Sequence, residues 1–301
     1  LAWPGAPASG TYKLFYALNG GLTPSAGGTV GLTGADGVFD LTAAALPDAL
    51  RQKYPHLAGA TGLRLADADA AKVAALVSGQ FALAQYDGGG NLVQVTSLQT
   101  AGLLDDLYAA NAAQAQLGVS FDRRGLATFR VWAPTAKSVA LNLYAGANAA
   151  TPATVPMTRD AASGVWSYAS TDPQLANRAY YTYTVQVLSR WADNKIVTNT
   201  VTDPYSLSLS ANSARSFAAN LDSPQLKPAG WDDQRIPKLD APTDIALYEL
   251  HIRDFSASDA TVPAAHRGKY LALRTDCLAL DCAGRQRLST IKTSRAVNGI
   301  T

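Results

Sequence analysis

The chain has 301 residues, of which 48% are hydrophobic and 16% charged, with a formal net charge of +2. That length suggests one to three domains, and the apolar share is enough for a globular core. Low charge, with Gly, Ala, Thr and Ser plentiful and Glu249 the single glutamate, favours many short strands and turns over long helices.

The charge is unevenly placed. Residues 264–301 hold seven basic and two acidic groups, whereas residues 1–263 are net acidic. A basic tail can meet nucleic acid or a membrane. No zinc-finger spacing or aromatic–basic stripe accompanies it, so no nucleic-acid partner is expected. The two cysteines, Cys277 and Cys282, both lie in this tail, which excludes a disulfide-built scaffold for the first 276 residues. No apolar run reaches ~18 residues, so no transmembrane segment is expected. The chain opens at Leu1 without a leader pattern, and any targeting segment is expected to be absent from it.

In chain order, Tyr12, Leu14 and Tyr16 alternate with Lys13, Phe15 and Ala17, a strand with two usable faces. Asn19-Gly20-Gly21 is a turn, and Gly27 to Gly37 punctuate short pieces leading to Val38-Phe39-Asp40-Leu41. Asp67 or Asp69 is placed to cap a helix running to about Val77, striped by Val73, Leu76 and Val77 and ended by Gly79. Residues 81–86 and 92–96, joined by Asp87-Gly-Gly-Gly-Asn91, read as a β-hairpin. Leu103, Leu104, Leu107 and Tyr108 form a short helical or turn segment, and 109–116 is a boundary.

A second β-rich unit follows. Phe129–Trp132, Ser138–Tyr144, Val165–Tyr168 and Tyr180–Leu188 are its strands. In the last, Tyr181, Tyr183, Val185 and Val187 point inward and Thr182, Thr184 and Gln186 outward. One solvated face fits an antiparallel sandwich, and the spacing matches an immunoglobulin-like module. Pro224, Pro228, Pro237 and Pro242 mark a connector, expected to pack through Leu221, Leu226 and Trp231. Asp244–Ile252 is a strand candidate. Beyond it the pattern of residues 257–301 deteriorates, with Leu271-Ala-Leu and Leu278-Ala-Leu lacking clear partners, and 284–301, without either hydrophobic period, are expected to be frayed or disordered.

Few residues point to chemistry. His56, His251 and His266 are too dispersed for a ligand set, so no metal site is assigned. Glu249 and Asp254 are the obvious carboxylate pair, but their spacing on a strand sends them to opposite sides. They read as ion-pair partners of Arg253 at a strand end. No catalytic residue is assigned. Aromatic side chains offer more, because a sugar ring stacks its flat C–H face on an exposed ring. Trp166 and Trp191 adjoin turns and are the candidates for exposure. Tyr168 joins them as a carbohydrate-binding candidate, the alternative being a filled core.

These residues carry a family resemblance. Phe129-Arg-Val-Trp-Ala-Pro-Thr-Ala-Lys-Ser-Val139 resembles the opening of carbohydrate-binding module family 48, and Thr202-Asp-Pro-Tyr-Ser206 its end. Tyr248-Glu-Leu-His-Ile-Arg-Asp-Phe-Ser256 is similar to the first barrel strand of pullulanase-type debranching enzymes in glycoside hydrolase family 13. Tyr54-Pro-His-Leu-Ala-Gly59 and Gly102-Leu-Leu-Asp-Asp-Leu-Tyr108 resemble the accessory domain that such enzymes carry first. The resemblance covers residues 1 to about 272; from Leu273 the chain departs from it, as a frameshifted, truncated or misassembled reading frame would, the alternative being a divergent natural ending.

The resemblance implies a mainly β chain of tandem β-sandwich-like modules followed by an incomplete start of a (β/α)8 barrel. Its parts are an accessory domain at 1–116, the binding module at 117–215, a linker at 216–243 and the start of a catalytic domain with a divergent tail at 244–301. It implies the N-terminal part of an extracellular or cell-surface enzyme that hydrolyses α-1,6 links in pullulan, starch or glycogen. The family's catalytic Asp, Glu and Asp lie on later barrel strands. This chain is therefore expected to bind α-glucan (pullulan, amylopectin, glycogen) but not to cut it. The alternative is a stand-alone carbohydrate-binding or structural immunoglobulin-like protein. No cofactor is implied for these residues; calcium belongs to the full-length family and nothing in this chain supports it.

Overall fold

The computed structural model describes residues 1–24, 31–233, 235, 239–245 and 249–274. It divides into a unit Leu1–Lys227 and a second unit that begins at Pro228. The structure is mainly β, with several antiparallel sheets.

The first part contains strands β1 (Ala2–Trp3), β2 (Thr11–Ala17), β3 (Thr23–Pro24), β4 (Leu32–Thr33), β5 (Gly37–Ala44), β6 (Thr61–Leu65), β7 (Gln80–Tyr86) and β8 (Leu92–Ser97). Helices α1 (Asp48–Lys53), α2 (Asp67–Leu76) and α3 (Ala101–Ala112) accompany them. Six strands form one sheet in the order β1-β6-β5-β2-β7-β8, and β3 and β4 form a separate ribbon. The alternation along β2 sends Tyr12 and Leu14 into one cluster with Trp3, Phe39, Leu63 and Phe81. Phe15 and Ala17 enter another, with Leu22, Ala84 and Tyr86.

Both faces of the sheet are thus covered, and β7 is buried from Phe81 to Tyr86. This corrects the expected sandwich-like first module. The cover on one face includes Val73 and Leu76 of α2 rather than a second sheet. Neither Asp67 nor Asp69 caps α2, whose N-cap is Ala66. They lie inside its first turn, where their charge complements the helix dipole. The 87–91 turn forms as expected: the Asp87 carboxylate accepts from the N–H groups of Gly89 (2.9 Å) and Asn91 (2.8 Å).

The second part contains β9 (Gly118–Phe121), β10 (Ala127–Trp132), β11 (Ser138–Tyr144), β12 (Ala153–Pro156), β13 (Thr158–Arg159), β14 (Val165–Ala169), β15 (Tyr180–Ser189), β16 (Lys195–Val201) and β17 (Ser216–Phe217). One sheet runs β13-β14-β10-β9; the other runs β12-β11-β15-β16, with β17 also paired to β15. The sheets share one core. Phe129 and Val131 come from the first, and Leu141, Tyr181 and Tyr183 from the second. The Phe129 and Tyr181 rings meet edge to face at 4.9 Å.

The expected outward, solvated face of β15 is wrong at Thr182, which is buried. Asn142, opposite it on β11, donates to the hydroxyls of Thr182 (3.2 Å) and Thr184 (2.7 Å) and accepts from Thr154 (2.8 Å). A closed polar ladder satisfies these groups away from water.

Two contacts tie α3 to the second part. The Tyr108 hydroxyl accepts from Arg159 at 3.0 Å, and Asn111 donates to the Ala162 carbonyl at 3.1 Å. The helix continues to Ala112, into the stretch read as a boundary.

The connector does not pack as expected. Leu221, Leu226 and Trp231 are all exposed. The strand expected at 244–252 is also corrected. Pro242–Asp244 is a 3-10 turn and Ile252 opens helix α4 (Ile252–Ser256), while residues 246–248 lie outside the described residues. The His251 Nδ1 accepts from the Asp254 N–H as the helix cap. Cys277, Cys282, Gly27, Gly28 and the run 284–301 likewise lie outside the described residues.

Candidate functional site

Asp203, in the Thr202–Ser206 motif, is 3% exposed and is the hub of the second part. Its carboxylate accepts from the hydroxyls of Tyr181 (2.8 Å) and Tyr183 (3.2 Å) and from the Tyr205 N–H (2.8 Å). Its own N–H donates to Ser216 (2.9 Å), and Ser206 donates to its carbonyl (2.7 Å). Burial raises the Asp203 carboxyl above its ordinary range, against the lowering by these donors. Burial also raises both tyrosines, with the Asp203 charge adding to it. The cluster is closed and fully bonded. It fixes β15 against the 202–206 turn and presents nothing to a ligand.

The three aromatic candidates fall in three settings. Trp166 is buried, and its Nε1–H donates to the Ala133 carbonyl at 2.9 Å. The expected exposure is corrected: the turn before it is capped by Pro134, and the indole faces the shared core. Tyr168 is half-buried against that core. Trp191 is 100% exposed. It sits in the turn Arg190–Ala192 at the tip of the β15–β16 hairpin.

That tip is braced. Asp193 and Asn194 occupy the left-handed region at φ 51° and 55°. Arg190 donates to Ser97 of β8 at 3.3 Å. The Asn194 carbonyl lies so close to Gly20 (φ +79°) that a Cβ there would sit 1.8 Å from it. An apolar ring held fully in water on an anchored turn is the arrangement that stacking ligands use.

Tyr168 borders a groove of about 680 Å³ at the other end of β15. Leu143, Tyr144, Val155 and Leu175 give it apolar lining; Thr151, Asp172, Gln174 and Arg178 give it polar lining. Ala179, just before β15, belongs to the groove, while Trp191 follows that ten-residue strand. The two are separated by roughly 30 Å of extended chain. The structure therefore does not gather the three candidates into one site. Sequence reading missed Tyr144 and Arg215, whose guanidinium lies 3.6 Å from the Tyr144 ring centroid, because the pair is 71 positions apart. Among the described residues no group of three or more His, Cys, Asp or Glu side chains could hold a metal ion. Among the described residues no helix is long and apolar enough to cross a membrane.

Comparison with known proteins agrees with this layout. Residues 1–106 match the pullulanase N2 domain, and residues 116–206 match carbohydrate-binding module 48, the isoamylase N-terminal domain. The chain is 36% identical over 298 residues to a pullulanase of Klebsiella pneumoniae, covering 98% of this chain and 26% of that protein. It is 34% identical over 297 residues to pullulanase 1, chloroplastic, of Arabidopsis thaliana, covering 97% and 29% respectively. The crystal structure of Klebsiella pneumoniae pullulanase complexed with maltotriose superposes with a TM-score of 0.81 at 36% identity. It covers 91% of this chain and 25% of that one. The matched family domains are non-catalytic N-terminal modules of those enzymes. The chain is an N-terminal region made of a pullulanase N2 domain and a carbohydrate-binding module 48, homologous to that part of bacterial and plant pullulanases and matching about a quarter of their length.

Proposed function

We propose that this region binds α-glucan for a pullulanase-type enzyme acting on α-1,6 links of pullulan, starch or glycogen, and does not itself cut them. The observation that carries this reading is Trp191, an indole wholly in solvent on a braced hairpin of a carbohydrate-binding module. Its ring offers a flat apolar face to the C–H side of a glucose unit. Hydrolysis of a glycosidic bond takes two carboxyl groups flanking it, ~5–10 Å apart. The groove beside Tyr168 has one carboxyl-bearing residue in its lining, Asp172.

In the same reading the two-sheet module is immunoglobulin-like, its limits are 117–215, and residues from 244 begin the catalytic domain. An extracellular or cell-surface setting belongs to the proposal too. One relative is named as chloroplastic, so the modules by themselves do not set the compartment.

Affinity electrophoresis in gels containing pullulan or amylopectin tests the binding. The chain should be retarded, and Trp191→Ala should reduce that retardation while unfolding at the same temperature. Mobility equal to that in a plain gel would refute the proposal. A reducing-sugar assay on pullulan should stay at the blank, and release above it would refute the second half.

A further inference from the structure

We propose that the groove between Tyr168 and Tyr144 is a second α-glucan site, separate from the Trp191 tip and taking a short run of α-linked glucose units. This rests on the glucan-binding reading and adds a place and a mode of binding to it.

The groove is built before any ligand arrives. On one side Arg215 stacks on Tyr144 and donates to the carbonyls of Gly146 (2.8 Å) and Ala149 (2.7 Å), which ties down the loop 145–152. On the other side Asp172 accepts from the Gln174 N–H at 2.8 Å. Asn177, at φ 58°, donates its N–H to Ala218 (2.8 Å), and its side chain accepts from the Asn220 N–H (2.7 Å). Both walls are therefore fixed by bonds within the protein, and binding orders little new chain.

The lining has two characters. Tyr168 and Tyr144 line it with aromatic side chains, while Asp172, Gln174 and Arg178 are exposed and carry donors and acceptors. A glucose unit has the same division between a C–H face and a rim of hydroxyls. An apolar ligand would strip water from the Asp172 carboxylate and the Arg178 guanidinium and offer nothing in its place beyond their bonds to Gln174, and an anion would meet the Asp172 charge. The volume falls inside the ~300–1,000 Å³ of small-molecule sites. Arg215 acts here as a positioning residue, through Tyr144 and the loop.

Calorimetric titration of the full chain with maltohexaose tests the assignment. Tyr168 packs on the core, so Tyr168→Ala can fail to fold. Ala153→Trp fills the groove from an exposed position that lines it and leaves the core alone. In a Trp191→Ala background, maltohexaose binding should persist, and adding Ala153→Trp should weaken it tenfold or more. Arg215→Ala should also weaken it, with partial rescue by Arg215→Lys. If Trp191→Ala alone abolishes binding and Ala153→Trp changes nothing, the second site is refuted and the glucan-binding reading stands. If the unaltered chain binds neither maltohexaose nor pullulan, both are refuted.

Discussion

Asp203 is a carboxylate taken out of water and wrapped in hydroxyl and amide donors, and burial outweighs them in setting its proton affinity. Its folded pKa lies above the unfolded value. The stability it contributes is therefore fully present below the unfolded pKa and is lost as pH rises through the folded one. Asp203→Asn should remove that component. A comparison of denaturant midpoints for the two proteins between pH 3.5 and 7 checks this, with the wild type losing more relative stability on the rise. Asp203→Ala should cost on the order of 3 kcal/mol at neutral pH, since it orphans the buried Tyr181 and Tyr183 hydroxyls. Sequence reading found the Thr202–Ser206 motif by resemblance but not this role, because the partners come from β15, many residues away. The same limit explains Trp166 and Trp191. Both adjoin turns, yet only the fold places a carbonyl of Ala133 over one and nothing over the other.

Elements closed by their own residues were legible; those needing remote partners were not. The β7–β8 hairpin follows from Asp87-Gly-Gly-Gly-Asn91, where one carboxylate holds the turn through local N–H groups. The apolar alternation of β11 and β15 gave the inner face, while Asn142 and Thr182 defied the polar-outside rule by bonding each other across the pair. At Ile252, the end of the expected strand, α4 forms instead with His251 as its cap. The β15–β16 tip depends on a second element for its shape. Gly20→Ala should therefore destabilise by more than the ~1–2 kcal/mol of left-handed strain alone, because the new methyl also meets the Asn194 carbonyl. Thermal unfolding of the variant measures it, and a loss of pullulan retardation beyond the stability change would report the displaced Trp191.

At the scale of the molecule, the two family domains are joined by α3 rather than by a bare tether. Tyr108 is 2% exposed and its hydroxyl leans on Arg159. Arg159→Ala should cost about 1–3 kcal/mol, read by chemical denaturation, a range set by leaving a buried polar group short of a partner. The order of modules was legible from short motifs; the helix cover on one face of the first module's six-stranded sheet was not, since strands with two apolar faces leave open what covers each. The placing of the indoles has one more consequence. Of the five tryptophans, Trp3 and Trp166 are buried and Trp191 alone is 100% exposed. Trp191 should emit at the red edge of the fluorescence spectrum and be the side chain most readily quenched by iodide. Added polysaccharide should shield it first, giving an optical signal of occupancy that needs no label.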